Sequence, residues 1–257
     1  SSCGRWLNMY ERQMILPEIG EEGQRRIRES RVTVIGAGGL GSPVALYLWY
    51  AGVGKLRIID GDRVSLSNLN RQILYGKEDL GKAKSQSSVR HLSDLRKGEG
   101  QEAEGIECFF KEENGRELLA DSQVVVDCVD NQKTRLAANK ICISMGIPLV
   151  EGGVHGFYGY VMTVGKDSAC LGCLGYRREE GRDDVPALGP AAGVIGSLQA
   201  MEALKLITGA GKPLYNRILS YDGLEGEFDI VPVFPDPECP FHQRKTDRIK
   251  KRNGEAL

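Results

Sequence analysis

The chain has no apolar run approaching the length that a helix needs to cross a bilayer, so no membrane-spanning role is expected of it. Its opening stretch SSCGRWLNMYER also lacks the apolar centre of a signal peptide, and the expected compartment is the cytoplasm. An excess of one charge is missing too: 34 basic side chains against 35 acidic ones leave a formal net charge of -1. Such a chain has no global field with which to recruit nucleic acid or an anionic membrane. There is no repeat of the solenoid type and no clean linker, so a parallel and an antiparallel half are expected to share one mixed sheet. Cysteines number 7, an odd count that fits a reduced compartment and a metal site better than a disulfide framework. From Leu174 to Glu238 cysteine is absent altogether.

What is present begins with VTVIGAGGLGS, a β-branched run followed by Gly36, Gly38, Gly39 and Gly41. The first glycine permits a tight strand-to-helix turn, Gly38 lets the backbone approach a phosphate, and Gly41 allows close packing of helix on sheet. About 24 residues after Gly36 the apolar run KLRIID ends in Asp60, placed to take a ribose hydroxyl pair at the end of the second parallel strand. A polar cluster that plain dinucleotide binding does not need comes next. Asp62, Asn68, Arg71 and Gln72 are followed by Gly81, Lys82 and Lys84, and of these Asn68, Arg71, Gln72 and Lys84 are donors suited to a triphosphate.

The 257-residue chain as a whole reads as one large α/β unit. Helical patterns cover 10–29 in one or two pieces, 40–52, 81–95, 131–145 and 191–208. EGIECFFK reads as a third strand, and VVVDCVD, from Val124 to Asp130, as a central parallel strand with Asp130 at its carboxyl edge. PLVEGGVHGFYGYVMTVG predicts two antiparallel strands with a turn near 156–159, and NRILSYDG and EGEFDIVPV predict two more. The stretch 175–190 reads as a mobile loop and 243–257 as a charged, disordered tail. Two pairs at matching spacing, Cys170 with Cys173 and Cys239 with His242, supply three thiolates and an imidazole for a tetrahedral Zn²⁺. With all positions filled by protein, such an ion is structural. Cys108, Cys128 and Cys142 read as packing residues, His91 as exposed, His155 as a possible neighbour of a substrate channel, and Phe157 with Tyr158 as turn packing.

On these motifs the chain resembles the ubiquitin-activating-enzyme-like adenylating family, in its ThiF/MoeB/HesA branch, from about Tyr10 to His242. The resemblance implies a Rossmann-like mixed sheet in a single adenylating domain over 1–242. It implies that Asp60 binds ribose, that Asn68, Arg71 and Lys84 hold the phosphates of ATP, and that Asp130 holds Mg²⁺. Arg12, in MYERQMIL, is similar to an arginine that reaches the partner subunit's nucleotide, which implies a homodimer. The substrate implied is the C-terminal glycine carboxylate of a ubiquitin-like sulfur carrier ending in Gly-Gly, its tail entering beside Gly152 and Gly153, where missing side chains leave room. Two departures stand out. His242 replaces a cysteine usual in the second pair, and no crossover-loop cysteine precedes the helix AAGVIGSLQAMEALKL. The product is therefore expected to stop at the acyl-adenylate, with a separate sulfur donor. Competing readings are adenylation of a carboxylate on a modified tRNA or a peptide, an NAD-dependent dehydrogenase, and a non-catalytic scaffold that keeps the fold and the metal.

Overall fold

The structure, a computed structural model, describes residues 9–95, 100–176 and 186–242. Its centre is an eight-stranded sheet in the order β3-β2-β1-β4-β5-β6-β7-β8. Strands β1 (Arg31–Ile35), β2 (Lys55–Ile59), β3 (Glu102–Ile106), β4 (Val124–Asp127) and β5 (Leu149–His155) run parallel. Strands β6 (Tyr158–Val164), β7 (Arg217–Asp222) and β8 (Glu227–Pro232) continue it antiparallel. The mixed sheet expected from sequence is thus present, with the hairpin turn at 156–157. Chain order reverses between β1 and β4, and the crevice beyond the carboxyl ends of these two strands is where such sheets bind ligands.

Helices α1 (Glu11–Met14), α2 (Gly20–Glu29), α3 (Gly41–Ala51), α4 (Lys84–Leu95), α5 (Glu112–Leu118), α6 (Gln132–Met145) and α7 (Gly189–Thr208) cover the two faces. On one face Val32, Val34, Ile58 and Val126 pack against Leu48 and Trp49 of α3 and Ile195 and Ala203 of α7. On the other, Ile35, Val125 and Leu149 pack against Ala138 and Cys142 of α6 and against a lobe carrying Cys170 and Cys239. Each large apolar side chain so buried contributes about 1.5–3 kcal/mol. Glycines in the left-handed region end α3 at Gly52, α6 at Gly146 and α7 at Gly209.

Two strand boundaries and one helix stand out among the departures from expectation. The third strand starts and ends earlier than EGIECFFK, because beyond Ile106 the chain turns so that Phe109 lies over Gly61 while Phe110 enters the core. The central strand stops at Asp127, leaving Asp130 in the following loop, and Asp127 is itself a fully buried acid within the apolar run. Helix α5 was not legible in the sequence; Asn114 closes its first turn by accepting the Lys111 N–H at 2.8 Å. Most of the expected mobile loop, the tail 243–257 and Cys3 lie outside the described residues. Among the described residues no helix is long and apolar enough to cross a membrane.

Candidate functional site

The glycine turn is built by contact. Gly36 has φ of +92°, its N–H donates to the Ile59 carbonyl at 2.8 Å, and a Cβ there would stand 2.8 Å from the Cys128 carbonyl oxygen. A Cβ at Gly41 would stand 2.0 Å from the Gly36 carbonyl oxygen, so α3 can start this close to β1 only without a side chain. Gly38 is open, with only the Gln72 amide nitrogen within reach of a Cβ, at 3.6 Å. Gly39 faces the aliphatic stem of Arg71 and the methyl of Ala192. The backbone at 36–41 therefore lies between β2, the end of β4 and the segment carrying Arg71 and Gln72, with the N-terminus of α3 opening on it.

Asp60 closes the turn from the β2 side. One carboxylate oxygen accepts the Ala37 N–H at 2.7 Å and the other the Asp62 N–H at 2.7 Å. Burial pushes its carboxyl above the ordinary range, against the pull of the Ala37 N–H and the nearby Lys84 charge. Lys84 is buried, and its ammonium donates to Asp62 at 3.3 Å. Tyr75, not anticipated from sequence, donates its hydroxyl to the Ala37 carbonyl at 2.7 Å and meets Ser88 of α4 at 3.0 Å, fastening the turn to the helix that carries Lys84. Gln72 is buried with its carbonyl oxygen unpartnered. Arg71 donates to the Ser67 carbonyl at 3.0 Å and the Asn70 side chain at 2.9 Å. The Asn68 side-chain oxygen accepts the Ser65 N–H at 3.0 Å, so in this form it closes its own turn. Asp130 is exposed on the loop after β4, whose Cys128 and Val129 backbone abuts Gly36. Arg12 is exposed on α1, away from these contacts.

The second constellation also forms. Cys170, Cys173, Cys239 and His242 bring one ligand atom each within 4.8 Å of one another. Cys170 Sγ lies 3.8 Å from Cys173 Sγ and 3.6 Å from Cys239 Sγ. A tetrahedral ion with Zn–S bonds of ~2.3 Å spaces its sulfurs by ~3.8 Å. His242 Nε2 is buried with no hydrogen-bond partner, as a metal-facing nitrogen is. Burial pushes the Cys170 thiol up to about 12 and the Cys239 thiol up as well, so holding thiolates here calls for a cation. The residues present fit Zn²⁺.

Other expectations need correcting. The space beside Gly152 and Gly153 is already filled: a Cβ at Gly152 would stand 2.5 Å from the Gln199 amide and one at Gly153 2.5 Å from the Tyr160 ring. These glycines admit the chain's own side chains rather than an incoming tail. His91 is half-buried and meets Asp79 at 2.7 Å, where a free surface residue was expected. Cys128 and Cys142 are buried as expected, whereas Cys108 is half-exposed. His155, Phe157 and Tyr158 are exposed around the β5–β6 turn, so the aromatic pair does not pack it.

Comparison with known proteins agrees with this geometry. Residues 10–241 match the ThiF family. The chain is 40% identical over 252 residues to the sulfur carrier protein adenylyltransferase of Thermus thermophilus, covering 92% of each chain. It is 39% identical over 240 residues to the SAMP-activating enzyme E1 of Haloferax volcanii, covering 91% of this chain and 88% of that one. To the sulfur carrier protein ThiS adenylyltransferase of Escherichia coli it is 36% identical, covering 90% of this chain and 93% of the relative. Among solved structures, that of E. coli MccB with MccA-N7isoASN superposes with a TM-score of 0.81 at 21% identity, over 93% of this chain and 75% of that one, a likeness of fold. With its glycine turn, its polar cluster and its match over nearly the whole length, the chain belongs to the ThiF family.

Proposed function

We propose that this chain is an ATP-dependent adenylyltransferase that activates the C-terminal glycine carboxylate of a ubiquitin-like sulfur-carrier protein. One observation carries the reading: Asp60, Gln72, Arg71 and Lys84 gather at the Gly36–Gly41 turn, beside the β4 loop bearing Asp130, at the point where strand order reverses. The names borne by relatives at 36–40% identity agree with it.

In the reaction a carrier carboxylate oxygen bonds to the α-phosphorus of ATP, the α–β bridging bond breaks, and pyrophosphate departs from an acyl-adenylate. The protein's task is to hold the anions and to neutralise the charge gathering on the leaving group. Asp60 and Asp62 flank the ribose, and the open backbone at Gly38 admits the phosphates. Lys84, whose stem is buried, presents a compact cation, and Arg71 and Gln72 present forked and amide donors. Asn68 turns its amide inward once nucleotide competes with its own turn. Arg12 of one protomer serves the nucleotide bound to the other, making the working form a homodimer. Asp130 would hold Mg²⁺, which when bound screens the triphosphate and stabilises departing pyrophosphate. Zn²⁺ on Cys170, Cys173, Cys239 and His242 would clip the loop after β6 to the C-terminal segment. No cysteine lies between Leu174 and Glu238, so the acyl-adenylate is handed to a separate sulfur donor in the cytoplasm.

The test is exchange of labelled pyrophosphate into ATP. Purified protein with Mg-ATP and a carrier ending in Gly-Gly shows exchange that depends on the carrier, and Lys84→Ala lowers its rate about 10²- to 10³-fold. Exchange supported instead by a modified tRNA or a short peptide would replace the carrier in this reading, and tight NADH binding would end it.

A further inference from the structure

Below the Asp130 loop lies a buried group of charges that none of the steps above uses. Asp127 ends β4 and Glu151 stands opposite it on β5; both are completely buried. Between them and the loop sits Arg135 of α6, its side chain 11% exposed. One guanidinium nitrogen donates to Glu151 at 2.5 Å and to the Tyr160 hydroxyl at 2.6 Å, while the other donates to the Val129 carbonyl at 2.7 Å. Asp127 in turn accepts the Val129 N–H at 2.9 Å. The remaining oxygens, Asp127 Oδ2 and Glu151 Oε2, are buried and find no other partner. One proton shared between them satisfies both and leaves the group neutral, which removes the cost of burying a net charge. Burial, the largest influence, pushes the Glu151 carboxyl well above its ordinary range, in keeping with such a proton.

Both polar groups of residue Val129 are thus held by buried ionisable side chains. The chain just before it is held as well: the Gln199 amide donates to the Asp127 carbonyl at 2.6 Å and the Cys128 N–H donates to the Ile35 carbonyl at 2.8 Å. Just after Asp130, the Asn131 side chain accepts the Thr134 N–H at 2.9 Å and caps α6. Asp130 is an exposed carboxylate on a backbone fastened at either side. Such restraint on either side is what a metal-holding carboxylate requires of its support.

We infer that Arg135 is a positioning residue for the reaction: seated on Glu151 and Tyr160, its fork grips the Val129 carbonyl and so aims the Asp130 carboxylate. The inference rests on the reading that Asp130 holds Mg²⁺. Arg135→Lys keeps the charge against Glu151 and Tyr160 but has no second nitrogen for Val129. By calorimetry, the gain in ATP affinity conferred by Mg²⁺ falls about tenfold in Arg135→Lys, as for a lost support of a metal ligand. Affinity for Mg-free ATP stays close to the parent's, and Tyr160→Phe, which removes one acceptor and keeps the ring over Gly153, gives a smaller fall in the same direction. Asp130→Asn, run alongside, separates the two ideas. If it abolishes the Mg²⁺ gain while both Arg135→Lys and Tyr160→Phe retain it in full, the role of Arg135 is overturned and that of Asp130 stands. If Asp130→Asn itself retains the gain, the metal assignment falls and the role of Arg135 with it. Should Arg135→Lys fail to fold, Tyr160→Phe decides by the same criterion.

Discussion

Asp79 shows how far a residue's surroundings can depart from what its neighbours in sequence suggest. It lies in a polar stretch, GKEDLGK, yet is fully buried, with its oxygens receiving the Gly76 N–H at 2.9 Å, His91 at 2.7 Å and Arg90. Burial alone would raise its pKa, but the Gly76 N–H, His91 and Arg90 together outweigh that and lower it. A depressed folded value means that ionised Asp79 stabilises the native state above the unfolded carboxylate value of about 3.9. That contribution is lost as pH falls through the lower folded value. Asp79→Asn is therefore expected to cost ~1–3 kcal/mol near pH 7, with the gap from the parent closing toward pH 3. Urea unfolding at several pH values reads it; a gap independent of pH would show that the charge is not what matters. Gly152 and Gly153 teach the same lesson in reverse, since the vacancy suggested by two bare residues is taken up by Gln199 and Tyr160 from other elements.

At the scale of elements, the strands β1, β2 and β4 announce themselves because each is a largely buried apolar run ending just short of a residue proposed for the site. Helices α3, α6 and α7 end for a similarly local reason, the glycine that follows each. The lobe after β6 is different. Its described residues have little regular structure of their own, and Cys170, Cys173, Cys239 and His242 bring together segments distant in the chain. The proposed metal clip there would replace the packing that strands or helices supply elsewhere. Metal analysis is expected to find one zinc per chain, and stripping it with a strong chelator to lower the melting temperature by about 5–10 °C, the equivalent of ~2–3 kcal/mol. His242→Ala should reproduce most of that loss. A metal-free chain that melts where the untreated one does would show that the thiols alone hold the lobe.

For the whole molecule, the proposed sharing of sites across a homodimer makes a quantitative claim. Arg12 lies on α1 at the surface and Lys84 is buried beside the glycine turn; in the proposed homodimer each site would draw on both protomers. Arg12→Ala and Lys84→Ala, each inactive alone, should recover about a quarter of parental exchange activity when unfolded and refolded together, because half of the random dimers carry one intact site of two. No recovery would place Arg12 in its own protomer's site or outside the reaction. The glycine turn, the acid ending β2, the apolar centre of the sheet and the two ligand pairs were legible in the sequence, because each depends on a few neighbouring residues and on local backbone geometry. The support beneath the site was not. Asp127, Arg135, Glu151 and Tyr160 come from β4, α6, β5 and β6, and no local pattern states that they meet. Asp127 and Glu151, each an acid in a buried run, were the signs available. Their meeting was decided only when the sheet closed, since a buried charge becomes tolerable through partners that the fold alone brings into reach.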